Sequence, residues 1–584
     1  MHPANRVISL RRSLARFTQK VANRFPPLAW LVRSVLKLVW WTITLQLASC
    51  LRLRSHRFSD VRLIASSDLF DHEWYLKENP NIRGAGVPPA LHYLLFGAAA
   101  GRDPSPWFDG DWYLSQHPDA QQADANPLVH YLRHGALEGR PPNPVDSGPS
   151  AAIDPNTREA GRNPAQNSFA LNIVFINYGS FANNSAGHIV GFANALAERG
   201  HNVIMCANGD PRKVADYGVA RFRCVSRAAL MAKPETLRDL VGERAGGAST
   251  LIHCWTTREN VRLAATAAIG RLGCPYFIHL EDNEELVTRS LLGITAAQAA
   301  RMSSGDWDGR VPSMLSHPSR ARAFISGAAG VTIIVDALRT LVPENLAVHL
   351  LEPGMDATML NSGLDQGDRI ALCQEIGVPS GARIIVYTGN IHAANAGEML
   401  CLYEAIHLLN RRGTKVHLIR TGADYHPHHR YEFARLSRQH VTHLGVVDRS
   451  RLMEILKLAD VFVQPGTADE FNDYRLPSKL PDFLAAGRPL ILPATNLGLR
   501  LRDGIDALLL HRGDATEIAD RVAEVLRDDD LAVRLGRNAR RFAMENFDWQ
   551  RSAAGLDRFY RDRLADGAVS GARIATPDAR NSAG

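Results

Sequence analysis

Six charged side chains fall between positions 469 and 482 of this 584-residue chain: Asp469, Glu470, Asp473, Arg475, Lys479 and Asp482. Cations such as Arg475 and Lys479 suit a leaving diphosphate, while carboxylates such as Glu470 and Asp482 suit sugar or ribose hydroxyls. Each charge-assisted contact is worth about 1.5–3 kcal/mol. Phe471 and Asn472, lying between the acids, are placed with the nucleotide-binding residues. The plainer alternative is a solvated loop of surface ion pairs.

The elements around this loop decide between the two. The apolar run 461–463 reads as a buried strand, broken by Pro465 and Gly466. Residues 482–487 read as a short helix stopped by Gly487, followed by a second apolar strand over 489–492. Strand, loop and helix then converge on one cleft.

Two further regions repeat the strand, glycine loop and helix order. Residues 173–176 form a strand, Gly187 and His188 open a helix that ends at 199–201, and 203–205 form the next strand. The G-x-G-x-x-G spacing is absent, which argues against a nicotinamide site. His253 and His279 stand at the ends of two more strands, where ligands of open α/β sheets bind, and His279 runs into Glu281, Asp282 and Glu284. Near Arg383 a second such domain begins: strand 384–388, then Gly389, Asn390 and His392, then a helix over 399–409. A glycine loop feeding a helix can cradle phosphate through backbone N–H groups. Arg420, at the end of strand 416–419, either faces the cleft or makes a surface ion pair.

Taken together, these residues resemble family 4 (group 1) glycosyltransferases of the GT-B fold. In that family two glutamates separated by seven residues precede an alanine-rich helix and a glycine. Asp482 falls at the second glutamate, which implies contact with ribose hydroxyls. Lys479 resembles the lysine of "SK" variants, which faces the diphosphate. The first glutamate position holds Tyr474, so Glu470 or Asp473 is the expected substitute. The basic residue usual after Gly389 is replaced by Asn390, His392 and Asn395, which shifts phosphate neutralisation to Lys479, Arg475 and Arg420. His279 is expected beside the sugar at the reacting centre, and Gly187 at the interdomain cleft. Residues 352–356 resemble the crossover turn, and 547–549 the start of a final helix returning to the first domain.

The resemblance therefore implies an α/β fold of the GT-B class, two doubly wound Rossmann-like domains facing a cleft. It also implies transfer of a hexose, with retention, from a nucleotide diphosphate sugar to a glycan or lipid-linked acceptor in cell-surface polysaccharide or lipopolysaccharide synthesis. No cofactor and no obligatory metal are expected. His279, Glu470, Lys479 and Arg475 are the catalytic candidates; Gly389, Asn390, Arg420, Phe471, Asn472, Asp482 and Gly187 are the donor-binding candidates. The competing class is a scaffold protein whose GT-B body has lost catalysis.

Outside the two domains the sequence changes character. Residues 1–60 carry eleven Lys/Arg and one acid, so an overall charge of +7 leaves −3 for the remainder. That distribution disfavours nucleic acid. Trp40 and Trp41 among basic residues suit an interfacial helix on an anionic inner leaflet, and their uncharged run is too short to span a bilayer. Residues 61–140 hold a small α-helical repeat region: Phe70-Asp71-x-x-Trp74-Tyr75-Leu76 recurs 38 positions later as Phe108-Asp109-x-x-Trp112-Tyr113-Leu114. His92 and His130 recur with it and read as packing residues. A Pro/Asn/Ser-rich linker covers 141–168, the GT-B domains 169–365 and 366–545, the returning helix 546–563 and an Ala/Gly/Ser-rich tail 564–584. Seven scattered cysteines suit reduced thiols in a cytoplasmic, peripherally membrane-bound protein.

Overall fold

The computed structural model describes most of residues 60–142, and 170–570 except for 182, 210, 361–364, 392–393, 424–438 and several positions between 228 and 248. The chain divides into two compact units, Met1–Ile64 and Ala65–Gly584, and the elements below belong to the second. The expected membrane-surface segment, the linker, His392 and the end of the tail lie outside the described residues. Among those described, no helix is long and apolar enough to cross a membrane.

The two repeats are congruent in detail. Asp71 caps the helix His72–Glu78 by accepting from the Trp74 amide at 2.9 Å, and Asp109 caps Gly110–Gln116 through Trp112 at 2.8 Å. The Tyr75 hydroxyl meets His92 Nδ1 at 3.0 Å, and Tyr113 meets His130 Nδ1 at 3.1 Å. Both histidines are thus bound to buried tyrosines. Each unit closes on itself the same way: the Asp71 amide donates to the Pro104 carbonyl and the Asp109 amide to that of Pro142.

The first large sheet holds β1 (Asn172–Ser180), β2 (Asn202–Asn208), β3 (Arg223–Ser226), β4 (Thr250–Trp255), β5 (Tyr276–Leu280), β6 (Gly330–Ile333) and β7 (Val348–Leu350) in the order β3-β2-β1-β4-β5-β6-β7. The second holds β8 (Arg383–Thr388), β9 (Val416–Thr421), β10 (Val441–His443), β11 (Val461–Val463), β12 (Leu490–Pro493) and β13 (Leu508–Leu510) in the order β10-β9-β8-β11-β12-β13. Every pairing within them is parallel. Strands covered on both faces read as continuous apolar runs, which is why β1 and β11 were legible without alternation. In each sheet the strand order reverses at its first strand in sequence, β1 or β8, and ligands of such sheets bind beyond that reversal. This is the GT-B architecture.

Seven helices matter to the site: α1 (Asn184–Glu198), α2 (Glu259–Leu272), α3 (Glu284–Leu292), α4 (Ala396–Arg411), α5 (Arg449–Lys457), α6 (Leu480–Ala485) and α7 (Trp549–Ser570). The last returns to the first domain. Ala553, Leu556 and Tyr560 are buried in the core that holds β1 and α1, and the Tyr560 hydroxyl meets His253 Nδ1 at 2.6 Å. Trp549 is wedged where a side chain on Gly191 or Gly354 would overlap its ring, so both glycines are required by close approach.

Candidate functional site

The loop after β11 is folded by side chains that turn inward. Asn472 is buried and donates from Nδ2 to the Thr467 carbonyl at 3.1 Å and to the Glu398 carboxylate at 2.6 Å. Arg475 donates to the Asn472 carboxamide oxygen at 2.7 and 3.0 Å, reaches Glu398 at 3.4 Å and lies over the Phe471 ring at 4.1 Å. Phe471, Asn472 and Arg475 are therefore one cluster, and its acid comes from α4.

Lys479 ends that loop as the residue preceding α6. Its Nζ stands 3.8 Å over the Tyr387 ring and 3.1 Å from where a Cβ on Gly389 would lie. Only a glycine, here at φ +133°, leaves the ammonium this room against the end of β8. Burial pushes the Lys479 pKa well down; neighbouring Arg475 and Arg420 push the same way, and Glu398 opposes them. Lys479, Arg475 and Arg420 against one carboxylate leave an excess of cation at the head of the Gly389 loop. Such an excess suits a diphosphate.

The remaining donor candidates have other partners. The Asn390 carboxamide accepts from the Ala423 amide at 2.8 Å and joins the ends of β8 and β9, which fixes the glycine loop. Arg420 is fully buried, bound to His443 Nδ1 at 3.0 Å and to the Ala423 carbonyl at 3.1 Å, so it is neither a surface ion pair nor a side chain reaching into the cleft. Asp482 accepts from the Asp356 amide at 2.8 Å and pairs with Arg449 at 3.2 Å, tying α6 to the crossover turn and to α5. Burial raises its pKa although Arg449 opposes this. Glu470, the expected substitute acid, is 67% exposed and pairs with Arg289 of α3 at 3.2 Å. Asp473 instead accepts from the Thr495 hydroxyl.

Across the cleft, Gly187 lies inside α1, where its lack of a side chain admits the Tyr217 ring. His279 is 1% exposed, packed against Trp255 with ring centroids 4.0 Å apart and planes tilted by 37°, and bound to Thr332 Oγ1 at 2.8 Å. Burial brings its pKa to about 3, so it is a neutral imidazole. His253 shares the same Thr332 hydroxyl at 3.0 Å and is structural. Burial alone would raise Glu281, but His188 at 3.0 Å, with His279 and the Ser185 hydroxyl, brings it to about 2. Glu284 is held by Arg258 at 3.1 Å. Asp282 lies between them: burial, then Glu284 and Glu281, lift its carboxyl to about 7 against Arg258 and Arg475.

Four participants escaped sequence reasoning: Glu398, Arg449, Arg289 and Trp255. Glu398 had one visible signal, its place in the first turn of the helix fed by the Gly389 loop. The others are brought in by tertiary packing alone.

With this geometry in place, comparison with known proteins is decisive for the second domain. Residues 382–528 match the family described as "Glycosyl transferases group 1". The second domain is a group 1 glycosyltransferase domain. The group 1 domain thus spans the sheet and loops that hold Gly389, Arg475, Lys479 and Asp482. Similar curated proteins include the D-inositol 3-phosphate glycosyltransferase of Corynebacterium glutamicum, 23% identical over 239 residues, 39% of this chain and 54% of that protein. Another is the phosphatidyl-myo-inositol mannosyltransferase of Mycobacterium leprae, 26% identical over 215 residues, 37% and 56% of the two chains. The chain spans about half the length of the curated relatives it matches. Among solved structures, sucrose-phosphate synthase from Thermosynechococcus elongatus superposes with a TM-score of 0.50 at 16% identity, covering 68% of this chain and 100% of that one. The catalytic domain of Starch Synthase IV from Arabidopsis thaliana, bound to ADP and acarbose, gives 0.51 at 14% identity with the same coverage. Both likenesses support the GT-B fold of the group 1 domain and its partner.

Proposed function

We propose that this protein transfers a hexose from a nucleotide diphosphate sugar to a hydroxyl-bearing acceptor. The observation that carries the reading is Lys479: a largely buried amine against Gly389 and Tyr387, with Arg475 close enough to repel it and Glu398 opposing that repulsion. As the sugar–phosphate bond breaks, negative charge grows on the diphosphate, and these cations are positioned to stabilise it. The same charge makes an obligatory metal unnecessary for leaving-group neutralisation. Among the described residues that line this site, no side chain is read as a covalent nucleophile. Retention then follows a path in which the departing phosphate helps take the acceptor proton on the same face of the sugar. The inositol phosphate and phosphatidylinositol in the relatives' names support a polyol or lipid-linked acceptor. Membrane-surface binding through residues 1–60, and a role in cell-surface polysaccharide synthesis, belong to the same reading.

Thermal-shift screening of the full chain against UDP, GDP, dTDP and NAD, followed by donor hydrolysis with wild type and Lys479→Ala, tests it. Stabilisation by a nucleoside diphosphate and loss of hydrolysis in the variant are expected. Nucleotide binding without hydrolysis or transfer in the wild type would favour a scaffold instead, and stabilisation by NAD alone would overturn the choice of donor.

A further inference from the structure

We infer that Glu398 of α4 is a positioning residue of the donor loop, orienting Arg475 directly and through Asn472. The inference rests on the proposed donor site. The loop acids Glu470 and Asp473 face elsewhere, toward Arg289 and Thr495. Glu398 is 13% exposed and receives the loop directly, through Asn472 at 2.6 Å and Arg475 at 3.4 Å. Gly466 in the same loop lies close by, since a Cβ there would stand 3.2 Å from Glu398 Oε1. Its place in the first turn of α4 adds the favourable end of the helix dipole.

The geometry makes Asn472 a bridge, with its Nδ2 on the carboxylate and its carboxamide oxygen accepting from Arg475. Asn496, at φ +44°, holds the outer side of the same loop by donating to the Asn472 carbonyl at 2.5 Å and to that of Arg475. Glu398 thus fixes the orientation of Arg475 from beneath. Its partners in this cluster are Asn472 and Arg475, so its role is orientation.

This role and simple charge have opposite consequences, which makes the test sharp. Removing a carboxylate from an anion site strengthens anion binding if only charge matters. Loss of orientation weakens it, by about tenfold or more for one charge-assisted contact. Calorimetry on the full chain with UDP, GDP and inorganic pyrophosphate should therefore show weaker binding by Glu398→Gln and by Asn472→Ala, and little further loss in the double variant. Asn472→Ala keeps the test open should Glu398→Gln fail to fold. Unchanged or tighter binding by the folded variants, or fully additive losses, would overturn the inference while leaving the donor site standing. Failure of the wild type to bind any of the three probes would remove both.

Discussion

Arg289 on α3 and Glu470 in the loop after β11 meet at 3.2 Å across the two domains. The arginine is mostly buried and the glutamate two-thirds exposed, so the pair links the lobes through solvent-facing chemistry. An exposed pair of this kind contributes at most about 1 kcal/mol and weakens with salt. Glu470→Gln should accordingly change donor turnover by less than about fivefold. A loss near a hundredfold at unchanged stability would return Glu470 to the catalytic centre.

Lys479 should separate activity from stability. Its pKa lies well below that of an ordinary lysine because burial disfavours the charged amine. A depressed lysine costs the fold stability in full below its own pKa, and progressively less as pH rises toward the ordinary value near about 10.4. Lys479→Met should therefore raise the melting temperature at pH 7, with the gain fading near pH 10. The same variant should lower donor turnover by roughly 10²–10³. Denaturation and turnover measured on one preparation check both; a variant less stable at pH 7 would show that Lys479 is tethered, not stranded.

Asp282 gives a pH signature of the opposite kind. Its folded pKa of about 7 stands above the unfolded value near about 3.9. Stability is therefore unaffected below the unfolded value, falls as pH climbs between the two, and stays at its lower level above pH 7. Asp282→Asn should shift the urea midpoint upward at pH 8 and much less at pH 5. Equal shifts at both would mean that the carboxyl does not titrate in this window.

Close approach can be probed at glycines in two regions. Gly97→Ala and Gly135→Ala each drive a Cβ into a tyrosine hydroxyl, at Tyr75 and Tyr113, and Gly191→Ala drives one into Trp549. Each should destabilise by about 1–3 kcal/mol. Hydrogen exchange on the full chain should show Gly97→Ala and Gly135→Ala loosening their own repeats to a similar degree, since the two environments match. Strong asymmetry between them would mean that the repeats do not share one packing scheme.

Much of the architecture was written into hydrophobic runs and their punctuation. Residues 173–176, 203–205, 384–388 and 461–463 all lie in parallel strands, because a strand covered on both faces must be apolar at every position. The 38-residue repeat was equally plain, and the structure adds the reason for its invariant Tyr, His and Gly: a tyrosine hydroxyl bound to a histidine, packed where only glycine leaves room. Lys479 was singled out through the family resemblance, and the fold places its ammonium against Gly389 and the Tyr387 ring.

Pairing was what no local signal carried. The sequence offered Glu470 or Asp473 as the loop's acid because both stand near Tyr474, where the family resemblance expects a glutamate, whereas the acid that meets Arg475 is Glu398, 77 positions away. Arg420 looked like a surface or cleft cation and is instead sealed against His443; Asp482 is engaged by Arg449 and the Asp356 amide. Order and identity of elements are local properties, set by periodicity, glycine and proline. Which charge meets which, how far each is buried, and hence which amine or carboxyl is left to meet a substrate are set by long-range packing of two sheets, and only the tertiary structure decides them.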